Sequence, residues 1–159
     1  MTGDLDGSAA EVLVSRGMLA FVGSMNAMGF SVPDAGTAYV KAWFEFYYKW
    51  PGRRVVGFRE PEEMAAKLLA DSFSFQAVPG IGAVDSTIDV GSGNGWPGLA
   101  VRLSVPASSL TLMDSRLGAC EFLSGLLRAS PLSGTTVQGG RAEDLARHSA
   151  FAESIGLVV

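Results

Sequence analysis

The spacing of hydrophobic side chains changes near residue 76 and divides the chain into two parts. Before that point apolar residues recur every three, four or seven positions, the period of an amphipathic helix, as in Val12, Leu19, Val22 and Met25. The pattern therefore predicts helices in this part. They run from a capping box at Ser8–Glu11 through Met25, from Asp34 to Lys49, and from Pro61 through Phe75.

After residue 76 short apolar runs alternate with helical stretches, which is typical of β-α-β units and a parallel sheet. We predict strands at Thr87–Val90, Ser109–Met113, Thr135–Gln138 and Ile155–Val159, in the spatial order third, second, first, fourth. The intervening helices are predicted at Gly98–Val105, Arg116–Ala129 and Arg141–Ser149. The predicted fold class is α/β, with an N-terminal helical segment (residues 1–76) that packs on a sheet domain (residues 77–159).

The clearest chemical signal is a glycine-rich turn after the first predicted strand. From Asp89 to Gly98 the sequence reads DVGSGNGWPG, so a strand runs through alternating glycines into a helix. Glycine lets the backbone approach a ligand, and a helix N-terminus adds free N–H groups and a positive dipole. Asp114 directly follows the second predicted strand, where a carboxylate can accept hydrogen bonds from both hydroxyls of a ribose. These features predict an adenosine-containing ligand.

Two cofactors fit such a turn, and the residues favour one of them. Gly93–Gly98 matches the G-x-G-x-x-G motif of dinucleotide sites, but Gly91 takes the position of the first glycine in that motif. Asp89 would repel a pyrophosphate and attract the ammonium group of a methionine. We therefore prefer S-adenosylmethionine to NAD, and a glycine turn that binds no ligand is the third interpretation.

Composition narrows the range of partners. The net charge of −4 gives no general attraction to nucleic acid, so RNA contact requires a local basic patch. Cys120 is the single cysteine, expected to be a small core residue, and His148 is the single histidine, expected to be solvated; no metal site is predicted. The apolar runs are too short to span a membrane and the N-terminus lacks a basic signal region, which predicts a soluble, cytoplasmic protein.

Several short motifs, taken in order, resemble one enzyme family. They are Glu60–Met64, Lys67 with Asp71-Ser72, Asp89–Gly98, Asp114-Ser115 and Gly140–Glu143. Over roughly residues 43–159 their order and spacing are similar to those of the glucose-inhibited division protein B family of small-subunit rRNA guanine-N7 methyltransferases. The resemblance implies a Rossmann-like class I methyltransferase. Such an enzyme uses S-adenosyl-L-methionine to methylate N7 of a guanine in the 16S ribosomal RNA of the small ribosomal subunit.

The resemblance also implies roles for individual residues. Cofactor-lining residues would be Asp89, Gly91, Gly93, Gly95 and Trp96, with Asp114 on the ribose and Ala142 and Glu143 beside the adenine. Methyl transfer to N7 needs no general base, because neutral guanine has an exposed lone pair there. No catalytic side chain is therefore predicted within the chain. The family's active-site arginine follows the fourth strand, beyond Val159.

Departures from the family pattern leave alternatives open. Val55–Gly57 replaces an Asn-Leu-Thr, Leu68 replaces a histidine, and Leu117–Ala119 replaces a basic Gly-Lys-Arg. The family also continues beyond the fourth strand, so a C-terminally truncated, incomplete sheet is expected. One alternative is a methyltransferase of the same fold with a small-molecule or protein substrate. The other is an inactive truncated remnant.

One basic segment is the candidate for RNA contact. No acidic residue lies between Glu45 and Glu60, and the interval holds Lys49, Arg53, Arg54 and Arg59 among aromatic residues. Basic groups bind phosphates and aromatic rings stack on unpaired bases, which predicts an RNA-binding role. In the alternative interpretation the aromatic rings pack on the core and the arginines are only solvated.

Lys67 and Asp71 are four positions apart on a predicted helix, which predicts an ion pair between them.

Overall fold

In the computed structural model, which describes residues 7–52, 54–105, 108–147 and 155–159, helices precede a parallel sheet. The first two are α1 (Gly7–Met28) and α2 (Asp34–Lys49). A third helical stretch begins as α3 (Pro61–Met64), continues as a π-helix over Ala65–Ala70 and ends as a 3-10 helix over Asp71–Ala77. None of the helices in the described parts of the chain combines the length and apolar character that crossing a membrane requires.

Strands and helices alternate in the second part, as predicted. The elements are β1 (Ser86–Val90), α4 (Gly98–Ser104), β2 (Ser109–Asp114), α5 (Leu117–Ala129), β3 (Thr135–Gly139), α6 (Ala142–Leu145) and β4 (Leu157–Val158). The strand β2 extends to Asp114, one residue beyond its predicted end, and β4 is shorter than predicted. The helix predicted at 141–149 is described only as α6, and His148 and Ser149 lie outside the described residues.

The sheet has the predicted topology. Its strand order is β3-β2-β1-β4 and every pair is parallel. In this register Asp89 of β1 lies beside Leu112, and Asp114 of β2 lies beside Gly139. The carboxyl ends of β1, β2 and β3 therefore meet at one edge of the sheet, which is where open parallel sheets bind their ligands.

The helix α1 buries a face other than the one that the apolar spacing indicated. Three of the four spaced residues are exposed, namely Val12, Leu19 and Val22. Met25 is buried, on a face that also contains Gly17. A Cβ on Gly17 would lie 2.7 Å from the ring of Phe44, so the glycine lets α1 approach α2 closely. Phe21 and Val14 are buried on this face as well, so it combines apolar side chains at helical spacing with a glycine that allows close contact between the helices.

One hydrophobic core joins the helical part to the sheet. Trp43 of α2 is fully buried in it. Its ring packs against those of Phe44, Tyr47, Trp96 and Phe122. The Nε1–H of Trp43 also donates to the carbonyl oxygen of Asn94 at 3.0 Å. Because Asn94 belongs to the glycine-rich turn, α2 holds that turn in place.

Candidate functional site

The glycine-rich turn connects β1 to α4 at the carboxyl edge of the sheet. Three of its glycines have positive φ, at 82° for Gly91, 54° for Gly93 and 97° for Gly95. Residues with a side chain rarely adopt this conformation, so the turn depends on glycine at these positions. A Cβ built on Gly91 would meet nothing within 4 Å, which places open space beside this part of the backbone. A ligand could approach the turn there.

The turn uses most of its own N–H groups internally. The donors are the N–H groups of Gly91, Ser92, Gly93, Gly95, Trp96 and Gly98. Their acceptors are the carbonyl oxygens of Met113 and Ser92, the side-chain oxygen of Asn94, and the carboxylates of Asp89 and Asp114. The expectation of free N–H groups at the start of α4 is therefore wrong, because protein oxygens already fill those positions.

Asp89 lies beneath the turn and is 2% exposed. Its Oδ2 accepts the N–H of Gly98 at 3.0 Å, which fixes the end of β1 to the start of α4. Burial raises the pKa of Asp89 to about 6, although the Gly98 hydrogen bond opposes that rise, and the nearby charge of Asp114 adds to it. The carboxylate thus titrates close to neutral pH, where a nearby cation would favour its charged form.

Asp114 is the second buried carboxylate of the site, at the end of β2 and 4% exposed. Its Oδ2 accepts the N–H of Gly93 at 2.9 Å, and its Oδ1 accepts the N–H of Arg116 at 2.8 Å. The Arg116 guanidinium adds two more bonds, from Nε to Oδ1 at 3.1 Å and from Nη2 to Oδ2 at 3.0 Å. Burial alone would raise the pKa of Asp114, but these hydrogen bonds and the charge of Arg116 lower it.

Sequence reasoning missed Arg116. The signal was a basic residue two positions after an aspartate at the end of a strand. Aspartate in such a position commonly accepts the backbone N–H two residues on, which brings the arginine side chain back toward the carboxylate. The apolar spacing alone predicts only the start of a helix at Arg116.

Trp96 joins the turn to the core. It is 6% exposed, and its ring centre lies 6.0 Å from those of both Trp43 and Phe73. Its Nε1–H is buried and has no hydrogen-bond partner among the described residues. With Pro97 it forms part of the wall of a cavity of about 430 Å³. Polar residues of the third helical stretch contribute to the same wall, namely Lys67, Asp71 and Ser72.

The segment after β3 reaches the same edge of the sheet. The N–H of Gly140 donates to the carbonyl oxygen of Asp114 at 3.1 Å. The predicted adenine-site residues Ala142 and Glu143 follow at the start of α6, the first half-buried and the second exposed. The structure thus brings this segment next to the strand that contains Asp114.

The basic segment separates into buried aromatic rings and exposed cations. Tyr47 stacks flat on Trp43 with ring centres 5.3 Å apart, and Trp50 packs on Phe122 at 5.6 Å. These rings belong to the core, as the alternative interpretation stated. The exposed cations are Lys49, Arg54 and Arg59, while Arg53 lies outside the described residues. The guanidinium of Arg54 donates to the carbonyl oxygen of Phe58.

Lys67 pairs with a different residue from the one that its spacing indicated. The predicted ion pair between Lys67 and Asp71 is wrong for the described part of the chain, because Lys67 Nζ lies 2.9 Å from Glu63 Oε1. The π-helical turn there has a wider period, which displaces residues four positions apart from each other.

Cys120 is half-buried, and its Sγ donates to the carbonyl oxygen of Asp114 at 3.2 Å. Burial is the largest of the effects that raise the pKa of this thiol, which does not favour a nucleophilic role.

In the described ranges no group of three or more His, Cys, Asp or Glu side chains is arranged to hold a metal ion.

The chain is similar to one family of known proteins. The family model described as rRNA small subunit methyltransferase G matches residues 41–155. Ribosomal RNA small subunit methyltransferase G of Symbiobacterium thermophilum is 31% identical over 160 matched positions, and the match covers 97% of this chain and 62% of that protein. The protein of the same name from an Exiguobacterium species is 28% identical over 139 residues, 87% of this chain and 58% of that protein. The chain thus spans about three fifths of the length of these relatives.

Proposed function

The chain belongs to the rRNA small subunit methyltransferase G family, and from that membership we propose that it forms the cofactor-binding part of a 16S rRNA methyltransferase. The proposed enzyme transfers a methyl group from S-adenosyl-L-methionine to N7 of a guanine in the small ribosomal subunit. Its role is rRNA methylation during rRNA processing, and the location that suits this substrate is the cytoplasm.

One observation supports S-adenosylmethionine over a dinucleotide. A pyrophosphate is bound by free N–H groups of a glycine turn, but here those of Gly93 and Gly98 already donate to carboxylates. The backbone of the turn therefore offers few donors to a ligand, and the buried carboxylate of Asp89 adds negative charge beneath it. A cofactor with a sulfonium and an ammonium group suits that electrostatic environment better than one with two phosphates.

In this proposal, different residues around the turn bind different parts of the cofactor. Asp114 holds the ribose hydroxyls, while Ala142 and Glu143 lie beside the adenine. Open space beside Gly91 admits the cofactor backbone, and the unpartnered Nε1–H of Trp96 is a donor for an acceptor group. Asp89, held beneath the turn, contributes negative charge near the methionine ammonium.

The chemistry that the bound cofactor supplies is a sulfonium methyl group, which the N7 lone pair attacks in line as the carbon–sulfur electrons return to sulfur. No proton has to leave N7, so the protein needs no general base. The side chains act by positioning the reactants and excluding water. The cavity between Trp96 and the third helical stretch, about 430 Å³ in volume, is where we place the acceptor base.

The proposed RNA contacts are the cations of the basic segment, Lys49, Arg53, Arg54 and Arg59. Phosphate contacts of this kind add affinity without base specificity, and they weaken as salt is raised. Replacing Arg54 and Arg59 together by methionine should weaken RNA binding and lower its salt dependence by about two phosphate contacts. An unchanged salt slope would remove these two residues from the interface.

Cofactor binding is tested by titration calorimetry with S-adenosylhomocysteine and, in parallel, NADH. We expect S-adenosylhomocysteine to bind, Asp114→Ala to abolish or strongly weaken that binding, and NADH not to bind. Asp34→Ala, which removes an exposed carboxylate at the start of α2, is the matched control and should bind normally. Binding of NADH alone would refute the cofactor assignment.

The substrate is tested by transfer of a labelled methyl group to small subunits that lack the modification. If the label is found in 16S rRNA, and borohydride reduction followed by aniline cleaves that RNA at the labelled nucleotide, the product is N7-methylguanine. Label that is found only in protein or small molecules would favour a different acceptor. If S-adenosylhomocysteine binds but no acceptor is labelled, these residues bind the cofactor and do not carry out methyl transfer by themselves.

A further inference from the structure

The carboxylate of Asp114 is already fully used within the protein. Each of its oxygens accepts one backbone N–H and one N–H from the guanidinium of Arg116. A carboxylate offers about four acceptor positions in total. A ribose that binds through both hydroxyls needs two of these positions, so two existing hydrogen bonds must be broken for it to enter.

The two bonds that can be broken are those of the guanidinium. The backbone donors, Gly93 and Arg116, are fixed by the turn and by the start of α5, and losing them would disturb both elements. The Arg116 side chain is 70% exposed, whereas that of Asp114 is 4% exposed. The carboxylate therefore stays in place while the arginine is able to move.

The position of the Arg116 guanidinium and the space around it would also allow a ribose to replace it on Asp114. Its Nη2 would lie 3.3 Å from a Cβ built on Gly93, so the group lies against the glycine turn at the position that a ribose on Asp114 would need. On its other side Arg116 lines a cavity of about 400 Å³ together with Arg54, Val55 and Leu117–Ala119. The arginine can leave Asp114 without displacing any part of the fold.

We propose that Arg116 competes with the cofactor's ribose for the carboxylate of Asp114 and thereby sets the affinity of the protein for its cofactor. The inference rests on the proposed function, since it takes ribose as the ligand of Asp114. Binding exchanges two guanidinium N–H donors for two ribose O–H donors, and the arginine turns toward the cavity. No covalent bond changes.

Removing the competitor should tighten cofactor binding. Because the arginine of this pair is exposed to solvent, we expect it to contribute about as much as a surface ion pair, which corresponds to roughly a two- to fivefold change in a binding constant. Arg116→Met keeps most of the side-chain length and removes the charge. Arg116→Lys keeps the charge but cannot donate to both oxygens as a fork. S-adenosylhomocysteine should therefore bind most tightly to the methionine variant, with the lysine variant between it and the unmodified chain.

The effect should also depend on salt. Raising the salt concentration from about 0.05 M to about 1 M screens the exposed ion pair, so the advantage of Arg116→Met over the unmodified chain should shrink toward zero. A role of Arg116 in folding alone would not produce such convergence. The control is Arg128→Met, an exposed arginine in the last turn of the same helix, which should bind like the unmodified chain at every salt concentration.

The experiment is calorimetric titration of the full 159-residue chain and these variants with S-adenosylhomocysteine. Equal or weaker binding by Arg116→Met would overturn the proposal while leaving the cofactor assignment intact. An absence of binding by both chains would overturn the cofactor assignment itself. The ion pair is measured separately, without cofactor, by NMR titration, in which the pKa of Asp114 should rise in Arg116→Met; an unchanged pKa would also overturn the proposal.

Discussion

The carboxylate of Asp89 accepts the N–H of Gly98 at 3.0 Å, and a Cβ on Gly98 would lie 2.6 Å from that same oxygen. Asp89 therefore requires glycine at position 98, nine residues later in the chain. The contact joins the C-terminal end of β1 to the first turn of α4 and closes the loop between them. It also keeps a carboxylate buried beside the site where we place a cationic cofactor.

Gly98→Ala should destabilise the protein more than most single substitutions. The new methyl group would also lie 2.7 Å from the Cβ of Asp89, which is fixed on a buried strand and cannot move aside. We expect a loss of about 2–4 kcal/mol in the free energy of unfolding, from overpacking and a weakened hydrogen bond, measured by urea denaturation. Gly118→Ala in α5 is the control.

A Cβ on Gly118 would meet nothing within 4 Å. Its substitution should raise the free energy of unfolding by about 0.5–1 kcal/mol, because alanine favours the helix. Similar free energies for the two variants would show that the contact between Gly98 and Asp89 does not constrain the turn.

Asp89→Asn should make stability less dependent on pH. Burial raises the pKa of Asp89 to about 6, above its value in the unfolded chain, so the folded state binds the proton more tightly. The stability that this proton provides is present at low pH and is lost as pH rises from about 4 through about 6. It amounts to about 1–3 kcal/mol.

Asparagine is neutral throughout and can still accept the Gly98 N–H. The free energies of unfolding of the two proteins should therefore diverge between about pH 4 and pH 7, with the variant gaining relative to the unmodified chain. Parallel pH profiles would show that Asp89 is not the buried group that titrates.

The same carboxylate predicts a pH dependence of cofactor binding. If Asp89 attracts the ammonium group at the amino-acid end of the ligand, protonation below about pH 6 should weaken S-adenosylhomocysteine binding. Below that value affinity should fall by up to about tenfold per pH unit, since one proton competes with the ligand. Calorimetry across pH 5–8 tests this, and Asp89→Asn should bind weakly with little pH dependence. An equal decline in the variant would assign the effect to another group.

The strands and their order could be predicted from the sequence because each depends on local information. The strand before Gly91 is rich in the β-branched residues Thr87, Ile88 and Val90 and ends in a glycine turn, and parallel β-α-β units allow few arrangements. The position of Asp114 at the carboxyl edge followed from the same pattern. These features need no knowledge of which distant side chains meet.

Other features depend on contacts between distant residues and were not predictable. Apolar residues of α1 occur at helical spacing on two faces, one with Val12, Leu19 and Val22 and one with Val14 and Phe21, and contact with α2 through Gly17 and Phe44 accompanies burial of the second. The π-helical turn that separates Lys67 from Asp71 has no signature in composition. Three of the turn's N–H groups, those of Gly91, Ser92 and Gly93, donate to residues of β2, and these bonds arise only when β1 and β2 lie side by side.

Trp43→Phe should weaken cofactor binding although Trp43 lies outside the turn. The substitution removes the donor to the carbonyl oxygen of Asn94 and leaves that buried oxygen without its partner. The smaller ring also leaves a void in the core, and together we expect a loss of about 2–4 kcal/mol in the free energy of unfolding. Because the turn then loses its attachment to α2, affinity for S-adenosylhomocysteine should fall severalfold even where the variant is fully folded.

Trp50→Phe is the matched control, because Trp50 packs on Phe122 in the same core and Trp43 is the tryptophan that donates to the turn. It should lose stability with little change in affinity. Calorimetry at a temperature where circular dichroism shows both variants folded separates the two effects. Equal affinities for the two variants would mean that α2 supports the fold as a whole but does not position the turn.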